Sequence, residues 1–134
     1  MNAEALIAVT PKELFIGGRW HEAASGAIFA VENPATATLL AEVAEAGLTD
    51  AWAALASAHD AFPAWRSMPP WARADILRRA YSAMTASTEA LALLMTLETG
   101  RPLTESRAEV AEVVPSVVEL RGGGPGVISW RSRA

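Results

Sequence analysis

PPWARADILRRAYSAMTASTEALALLMTLETGRP, residues 69–102, is the stretch that decides the fold of this chain. In its first half, apolar residues recur at three- and four-residue spacing, which is typical of one face of an amphipathic helix. These residues are Ile76, Leu77, Ala80, Tyr81 and Met84. Pro70 suits the first position of this helix, where its missing N–H leaves no bond unmade. The pattern therefore predicts a helix that begins near Pro70.

The second half of the stretch predicts another helix and its end. Ser87 or Thr88 can cap the helix start, because a hydroxyl oxygen accepts a free backbone N–H of the first turn. Its apolar face is broad and contains Leu91, Leu94, Met95 and Leu97. Gly100, followed by Arg101 and Pro102, is a stop signal, because glycine tolerates the left-handed conformation and proline cannot continue the helix. Pro102 can also open a third helix that runs to Val110.

Composition bounds the class of protein. The 134 residues are 51% hydrophobic and 19% charged, which favours one folded domain at most over a disordered chain. A net charge of −4 argues against nucleic acid as a partner, since phosphate-binding surfaces need a basic excess.

No apolar run approaches the roughly 18 residues of a membrane-spanning helix, so no membrane partner is expected. The N-terminus carries Glu4 and is a poor secretory signal, so we expect a cytoplasmic location. The absence of cysteine excludes disulfides and any cysteine nucleophile in this chain.

The N-terminal part predicts an arm and a small sheet. Residues 1–13 show no clear period and are expected to form a flexible arm. Residues 14–31 predict a hairpin with strands Leu14–Trp20 and Ala27–Val31, in which Gly17-Gly18 marks a turn, a bulge or a close backbone approach. A third short strand is expected over Leu39–Val43.

A further helix is expected from about residue 50 to residue 61, with Thr49 as its cap. Its apolar side contains Trp52, Leu55, His59 and Phe62. Pro63 should end or kink this helix, and Trp65 and Trp71 are expected in the short links that follow. At the other end of the chain, Pro115 should interrupt the helix that opens at Pro102. Residues 115–134 are then expected to form an irregular tail rich in glycine and arginine.

Five segments of the chain match, in order, motifs of one enzyme family. They are Leu14–Trp20 (LFIGGRW), Val31–Thr36 (VENPAT), Ala61–Arg66 (AFPAWR), Arg73–Arg79 (RADILRR), and Leu97–Pro102 (LETGRP) with Glu105 and Glu109-Val110. In this order and spacing they resemble the N-terminal part of the aldehyde dehydrogenase superfamily, and are most similar to its succinate-semialdehyde dehydrogenase branch. The resemblance covers about residues 14–110 and departs from the family at Arg101, where lysine is usual.

The resemblance implies an α/β parent fold that uses NAD or NADP. Residues 14–114 would be a partial N-terminal region of the cofactor-binding domain: a hairpin and a short strand, then three to four amphipathic helices. In the family, the nucleophilic Cys, the general-base Glu, the oxyanion Asn and the main cofactor contacts all lie after this segment. We therefore predict no catalytic, cofactor-binding or metal residue here, and no cofactor bound by this chain alone. Because the resemblance ends near Ala111, we hypothesise a truncation or a shift of reading frame there.

The remaining candidate site residues have simpler interpretations. Gly122, Gly124 and Gly126 lack the flanking strand and helix of a phosphate loop and are expected to form a flexible loop. Glu105, Glu109 and Glu112 are expected to form a solvated acidic face. The resemblance implies a monovalent cation near the Asn33–Thr36 loop, which singles out Glu109. His21 and His59 are isolated, and His59 is expected at the edge of the core. The tryptophans are expected to pack between elements. Arg73, Arg78 and Arg79 are expected to lie on a solvent-exposed helix face and to form ion pairs with nearby acidic side chains.

Three hypotheses for the function follow. The first is an N-terminal fragment of an NAD(P)-dependent aldehyde dehydrogenase for succinate semialdehyde or a related aldehyde, inactive alone. The alternative is a non-enzymatic helical module that associates with a full-length aldehyde dehydrogenase homologue by replacing its N-terminal segment. Apolar helix faces with no sheet to cover would support the module or an aggregating fragment. The third is an independent small α+β domain, which would unfold cooperatively as a monomer.

Overall fold

A computed structural model describes residues 2–116 as four short strands and five helices. The elements are α1 (Ala3–Val9), β1 (Leu14–Ile16), β2 (Arg19–His21), β3 (Ile28–Asn33), β4 (Thr38–Ala44), α2 (Leu48–Ser67), α3 (Pro70–Ala86), α4 (Thr88–Thr99) and α5 (Leu103–Ser116). After α1, the order of four strands followed by four longer helices confirms the predicted architecture. Gly122, Gly124 and Gly126, which were expected to form a flexible loop, and nearly all of the predicted tail lie outside the described residues.

The strands form two separate antiparallel hairpins, so the predicted pairing within residues 14–31 is wrong. Strand β1 pairs with β2, and strand β3 pairs with β4. The physical reason is the turn at Gly17 and Gly18, whose φ angles of 61° and 78° are both positive. Two consecutive residues with positive φ make a tight hairpin turn whose twist matches that of the flanking strands. The chain therefore folds back within Leu14–His21, and β3 is left to pair with β4.

The N-terminal residues also differ from the predicted arm. Helix α1 begins after Asn2, whose side-chain Oδ1 accepts the N–H of Ala5 at 2.8 Å. Leu6 is buried, and α1 packs against α4. A helix of seven residues is too short to show a clear period, which is why the pattern predicted no regular structure.

Helix α2 is longer than predicted at both ends. Gly47 is its N-cap, and the Asp50 carboxylate accepts the Gly47 N–H at 2.9 Å, so Thr49 lies inside the first turn. The helix continues through Pro63 to Ser67, which places Trp65 in α2 and not in a link. Similarly, Trp71 lies in the first turn of α3. Pro63 has no N–H to donate to the carbonyl oxygen of His59. His59 is exposed to water.

Helices α3, α4 and α5 confirm the prediction from residues 69–102. Gly100 ends α4 in the left-handed conformation with φ 72°, and Pro102 precedes α5. Ser87 is the N-cap of α4 but makes no side-chain cap bond. Ala92 and Val110 are the buried centre of this bundle, with partly buried residues packed around them. These are Tyr81, Met84, Leu91, Met95 and Leu103. Helix α5 also includes Pro115, beyond the boundary predicted at residue 114.

Candidate functional site: an uncovered face of helix α2

The side of helix α2 that faces the rest of the described chain is small and polar. Asp50 is buried and accepts the N–H of Ala24 at 3.0 Å as well as that of Gly47. Ser57, seven residues further on, lies on the same side of the helix. Its Oγ is 3.5 Å from the point where a Cβ on Gly17 would be. Asp50 and Ser57 therefore mark the side of α2 that contacts the β1–β2 hairpin and the loop after it.

These bonds fix the charge state of Asp50. The pKa of Asp50 lies below its ordinary value because the N–H groups of Gly47 and Ala24 stabilise the carboxylate. The ionised side chain thus fastens the start of α2 to the loop that follows β2.

The opposite side of α2 is apolar and uncovered. Its residues follow the alternating spacing of four and three that defines a helix–helix seam. They are Leu48, Trp52, Leu55, His59 and Phe62, and we call this surface the α2 seam. Leu48 is 82% exposed and Trp52 67% exposed. Leu55, Phe62 and His59 are also exposed, so helix α2 presents its polar side inward and its apolar side outward.

Other large apolar side chains are exposed on the hairpins and on α3. They include Phe15, Trp20, Ile28, Phe29, Leu39 and Trp71. By contrast, the buried apolar residues among those described are Leu6, Ala23, Ala92 and Val110, of which two are alanines. Soluble monomers rarely leave this much apolar surface open, and large patches mark sites of association. The α2 seam is therefore the strongest candidate functional surface of the described chain.

A second feature joins two of the motifs that carry the family resemblance. The turn after α4 places Gly100 against Pro34 in the β3–β4 loop, where a Cβ on Gly100 would lie 2.9 Å from Pro34 Cγ. The loop is held by its own bonds, since Asn33 Oδ1 accepts the N–H of Ala35 at 2.9 Å. The Asn33–Thr36 loop and the Gly100–Pro102 turn are thus fixed against each other.

The acidic candidates on α5 do not form a metal site. Within residues 2–116, the side chains described contain no cluster of three or more potential ligands. Glu109, which the resemblance singled out for a cation, instead forms an ion pair with Arg101. Glu105 and Glu112 are exposed, as expected of a solvated face.

The histidines and tryptophans lie closer to solvent than predicted. His59 is exposed on the α2 seam and not at a core edge, because nothing in the described chain covers that face. His21 is exposed, with Nε2 3.2 Å from the carbonyl oxygen of Ile16. Trp20 contacts Phe15, with ring centroids 4.9 Å apart, and is itself exposed. The expectation that the described tryptophans pack between elements is therefore wrong within this chain.

Ion pairs on the helix surfaces follow the prediction for Arg78 and Arg79, whereas Arg73 is half-buried and donates to the carbonyl oxygen of Arg66 at 3.3 Å. Asp75 pairs with Arg78 at 2.9 Å and with Arg79 at 3.7 Å, and the pKa of Asp75 is lowered chiefly by the hydrogen bond from Arg78. Glu89 on α4 accepts bonds from Nε and Nη2 of Arg107 on α5, and the pKa of Glu89 is lowered by them. Asp75 and Glu89 are both exposed, so these pairs orient the helices without adding much stability.

The described sheets differ from the sheets that bind dinucleotides. Both are two-stranded and antiparallel, whereas dinucleotides bind at the carboxyl ends of parallel strands beside a helix N-terminus. Within residues 2–116, no helix is long and apolar enough to cross a membrane.

Comparison with known proteins identifies the family. The model of the aldehyde dehydrogenase family matches residues 20–123, so the chain belongs to this family, and the match continues past Ala111. The chain is 37% identical over 119 residues to 3-sulfolactaldehyde dehydrogenase of Pseudomonas putida, covering 89% of this chain and 22% of the relative. It is 40% identical over 96 residues to mitochondrial succinate-semialdehyde dehydrogenase of Homo sapiens, covering 72% of this chain and 18% of the relative.

A solved structure supports the same assignment. Betaine aldehyde dehydrogenase of Staphylococcus aureus in complex with NAD+ superposes with a TM-score of 0.83 at 29% identity, covering 87% of this chain and 24% of that one. The chain therefore has a partial α/β fold of the aldehyde dehydrogenase type. It spans about a fifth of the length of the relatives that it matches.

Two features of the site were not predicted from the sequence. The inward position of Asp50 was missed, although an acid three residues after Gly47 is a recognisable capping signal. The outward orientation of the α2 seam was missed because an apolar stripe has the same pattern whether or not its partner is present.

Proposed function

We propose that this chain is the N-terminal structural segment of an NAD(P)-dependent aldehyde dehydrogenase and is itself catalytically inactive. The observation that carries the proposal is the match of the family model over residues 20–123, in a chain that spans about a fifth of its relatives. The chemistry of the family needs a cysteine thiolate to attack the aldehyde, and the 134 residues contain no cysteine. The segment then contributes two hairpins and a helical bundle, and neither binds the cofactor alone.

The substrate class of the parent enzyme is an aldehyde with an acidic group at a distance from the reacting carbonyl. The two relatives reported above are named for 3-sulfolactaldehyde and for succinate semialdehyde. Both names denote small aldehydes that carry an anion, a sulfonate in the first and a carboxylate in the second. Succinate semialdehyde is the member of this class that we assign first, in agreement with the motif resemblance.

An assay of the purified chain tests this function. The chain is incubated with NAD+ or NADP+ and succinate semialdehyde, and absorbance of the reduced cofactor is followed, with the succinate-semialdehyde dehydrogenase of Homo sapiens as positive control. No aldehyde-dependent signal is expected from the chain, and no quenching of its tryptophan fluorescence by either cofactor. Turnover that co-elutes with the chain would overturn the proposed inactivity.

A second function, association with an aldehyde dehydrogenase homologue, is favoured by one specific observation. Helix α2 leaves an apolar face open to water, and such faces mark sites of association. In this role, the chain occupies the place of the homologue's own N-terminal segment.

A further inference from the structure

The α2 seam has the same spacing in both directions along the helix. Its members lie at positions 48, 52, 55, 59 and 62, and Arg66, in the last turn of α2, continues the alternation of four and three residues. This spacing follows the turn of an α-helix, so the six positions lie on one side of α2. A row that is unchanged on reversal matches itself when a second copy lies antiparallel, and a two-fold symmetric interface requires such self-complementarity.

The antiparallel arrangement pairs side chains that suit each other. It brings Trp52 against Phe62 of the second copy, where two aromatic rings interact favourably beyond the burial of their surface. Leu55 lies against His59 of the second copy, where it covers the apolar body of the imidazole and leaves the polar tip at the edge of the contact. Each contact occurs twice, because the two-fold axis crosses the helices at the level of Ser57.

The residues beside the seam permit the close approach of an identical helix. Ala51, Ala56, Ala58 and Pro63 flank it, and all four are uncharged and exposed. In the antiparallel arrangement, Ala56 lies opposite Ala58 of the second copy, and Ala51 lies opposite Pro63. Small flanking residues let two helix backbones approach toward the short end of the usual 8–10 Å range. Two identical surfaces repel each other where like charges meet, and these four flanking positions bring none together.

The charges at the two ends of the seam select the antiparallel orientation. Glu45 lies just before α2 and Arg66 lies in its last turn, and both side chains are exposed. Within residues 2–116, neither forms an ion pair. Antiparallel packing brings Arg66 of each copy to Glu45 of the other, with the aliphatic part of Arg66 over Leu48. Parallel packing would instead place Arg66 beside Arg66 and Glu45 beside Glu45, so electrostatic complementarity favours the antiparallel pair.

We propose that two copies of this chain form an antiparallel, two-fold symmetric dimer through the α2 seam and Arg66. The inference goes beyond the proposed function and does not depend on it. The large apolar members of the seam, Leu48, Trp52, Leu55 and Phe62, are 56–82% exposed. Covering them in both copies removes on the order of 1,000 Å² of surface from water, which is about the least that a specific dimer needs. The dimer should therefore dissociate on dilution.

Sedimentation velocity of the full 134-residue chain over a series of micromolar concentrations tests the dimer. The mass of the wild-type chain should rise from that of the monomer to that of the dimer as the concentration increases. Leu55→Asp places two charges beside the two-fold axis and should raise the dissociation constant about tenfold or more. Ala53→Asp is the matched control, because it adds the same charge to α2 at an exposed position away from the seam. Circular dichroism verifies that each variant keeps its helices.

Reversal of the end charges tests the orientation. Glu45→Arg and Arg66→Glu should each weaken the dimer, because each brings like charges together, and the double variant should restore it. An effect of net charge alone would move the two single variants in opposite directions, since one adds positive charge and the other adds negative charge to a chain of net charge −4. Both residues are exposed, so this comparison still decides the question if Leu55→Asp does not fold.

Three results would overturn the inference. The first is a wild-type chain that stays monomeric at every concentration. The second is a dimer that Leu55→Asp and Ala53→Asp affect equally, and the third is a double charge reversal that does not recover the association lost in the single variants. None of these results bears on aldehyde-dependent turnover, which tests the proposed function separately.

Discussion

Gly100 and Pro34 lie in direct contact, although they belong to different structural elements. Gly100 ends helix α4 with a φ of 72°, and Pro34 begins the loop between β3 and β4. A Cβ at position 100 would come within 2.9 Å of Pro34 Cγ and 3.9 Å of the Ala35 nitrogen. The position thus requires glycine for two independent reasons, its positive φ and the space occupied by Pro34.

Replacing Gly100 tests both reasons when it is compared with a second glycine. Gly26 has a similar φ of 71°, but a Cβ there would meet nothing within 4 Å. Gly26→Ala should destabilise the chain by roughly 1 kcal/mol through backbone strain. Gly100→Ala should cost about 1–3 kcal/mol more, because Pro34 must also move. Urea unfolding followed by circular dichroism gives the loss of unfolding free energy for each variant. Equal losses for Gly26→Ala and Gly100→Ala would contradict the contact between Gly100 and Pro34.

A buried hydrogen bond between α4 and α5 provides a second prediction. The hydroxyls of Thr96 and Ser106 are 2.9 Å apart, and Ser106 is fully buried. Ser106→Ala should destabilise by about 1 kcal/mol, because Thr96 loses its partner in a partly dry site. The double variant Thr96→Val with Ser106→Ala should lose less than the sum of the two single changes. A double-mutant cycle measures this coupling, and strictly additive losses would show that the bond contributes nothing.

Local signals in the sequence were sufficient to predict the helical bundle. Pro70, Gly100 and Pro102 act within one turn of their own positions, so their effects on helix starts and ends were predictable. The strand pairing was not, because the choice of partner depends on the sign of φ at Gly17 and Gly18. Glycine accepts either sign, so the residue type alone leaves the turn type open.

The environment of helix α2 shows a different limit. Trp52, Leu55 and Phe62 were correctly placed on one helical face, but the pattern does not say what covers that face. The described chain covers the side of Asp50 instead, through bonds to the backbone of Ala24 and Gly47. Periodicity alone does not distinguish an apolar helix face that the described chain leaves exposed from one that packs into its core.

The free energy of unfolding should decrease at acid pH, and Asp50 illustrates the reason. Its pKa in the folded chain lies below the ordinary value, so the unfolded chain binds a proton more readily. This contribution is present above the pKa of the unfolded state, near 4, and is lost as the pH falls through the folded value. Asp75 and Glu89, with lowered pKa values, contribute in the same direction.

Asp50→Asn should therefore lower Tm at pH 7 by on the order of 5 °C and flatten its decline between pH 5 and about 3. Asp60→Asn is the control, since Asp60 is exposed on the same helix and makes no hydrogen bond with the described residues through its side chain. Thermal unfolding monitored by circular dichroism across this pH range is the measurement. Parallel curves for the wild-type and Asp50→Asn chains would contradict the role assigned to the carboxylate.

The two prolines at positions 63 and 70 should respond in opposite directions to the same substitution. Pro63 lies inside α2, where it removes the donor for the carbonyl of His59, whereas Pro70 opens α3, where an N–H would have no helical partner. Pro63→Ala should stabilise the chain by about 1–2 kcal/mol. The free energy gained by placing alanine instead of proline in the helix exceeds the free energy lost because the unfolded chain regains conformational entropy.

Pro70→Ala restores no helical bond, so only the entropy of the unfolded chain changes, and a loss of about 0.4–1 kcal/mol is expected. Urea unfolding of the two variants, with helicity recorded at the same time, compares them directly. A stabilised Pro63→Ala chain beside a weakened Pro70→Ala chain requires that α2 continue through position 63. If instead both substitutions weakened the chain, α2 would have to end before Pro63, and the alignment of Phe62 with Leu48 and Leu55 along one seam would have no structural basis.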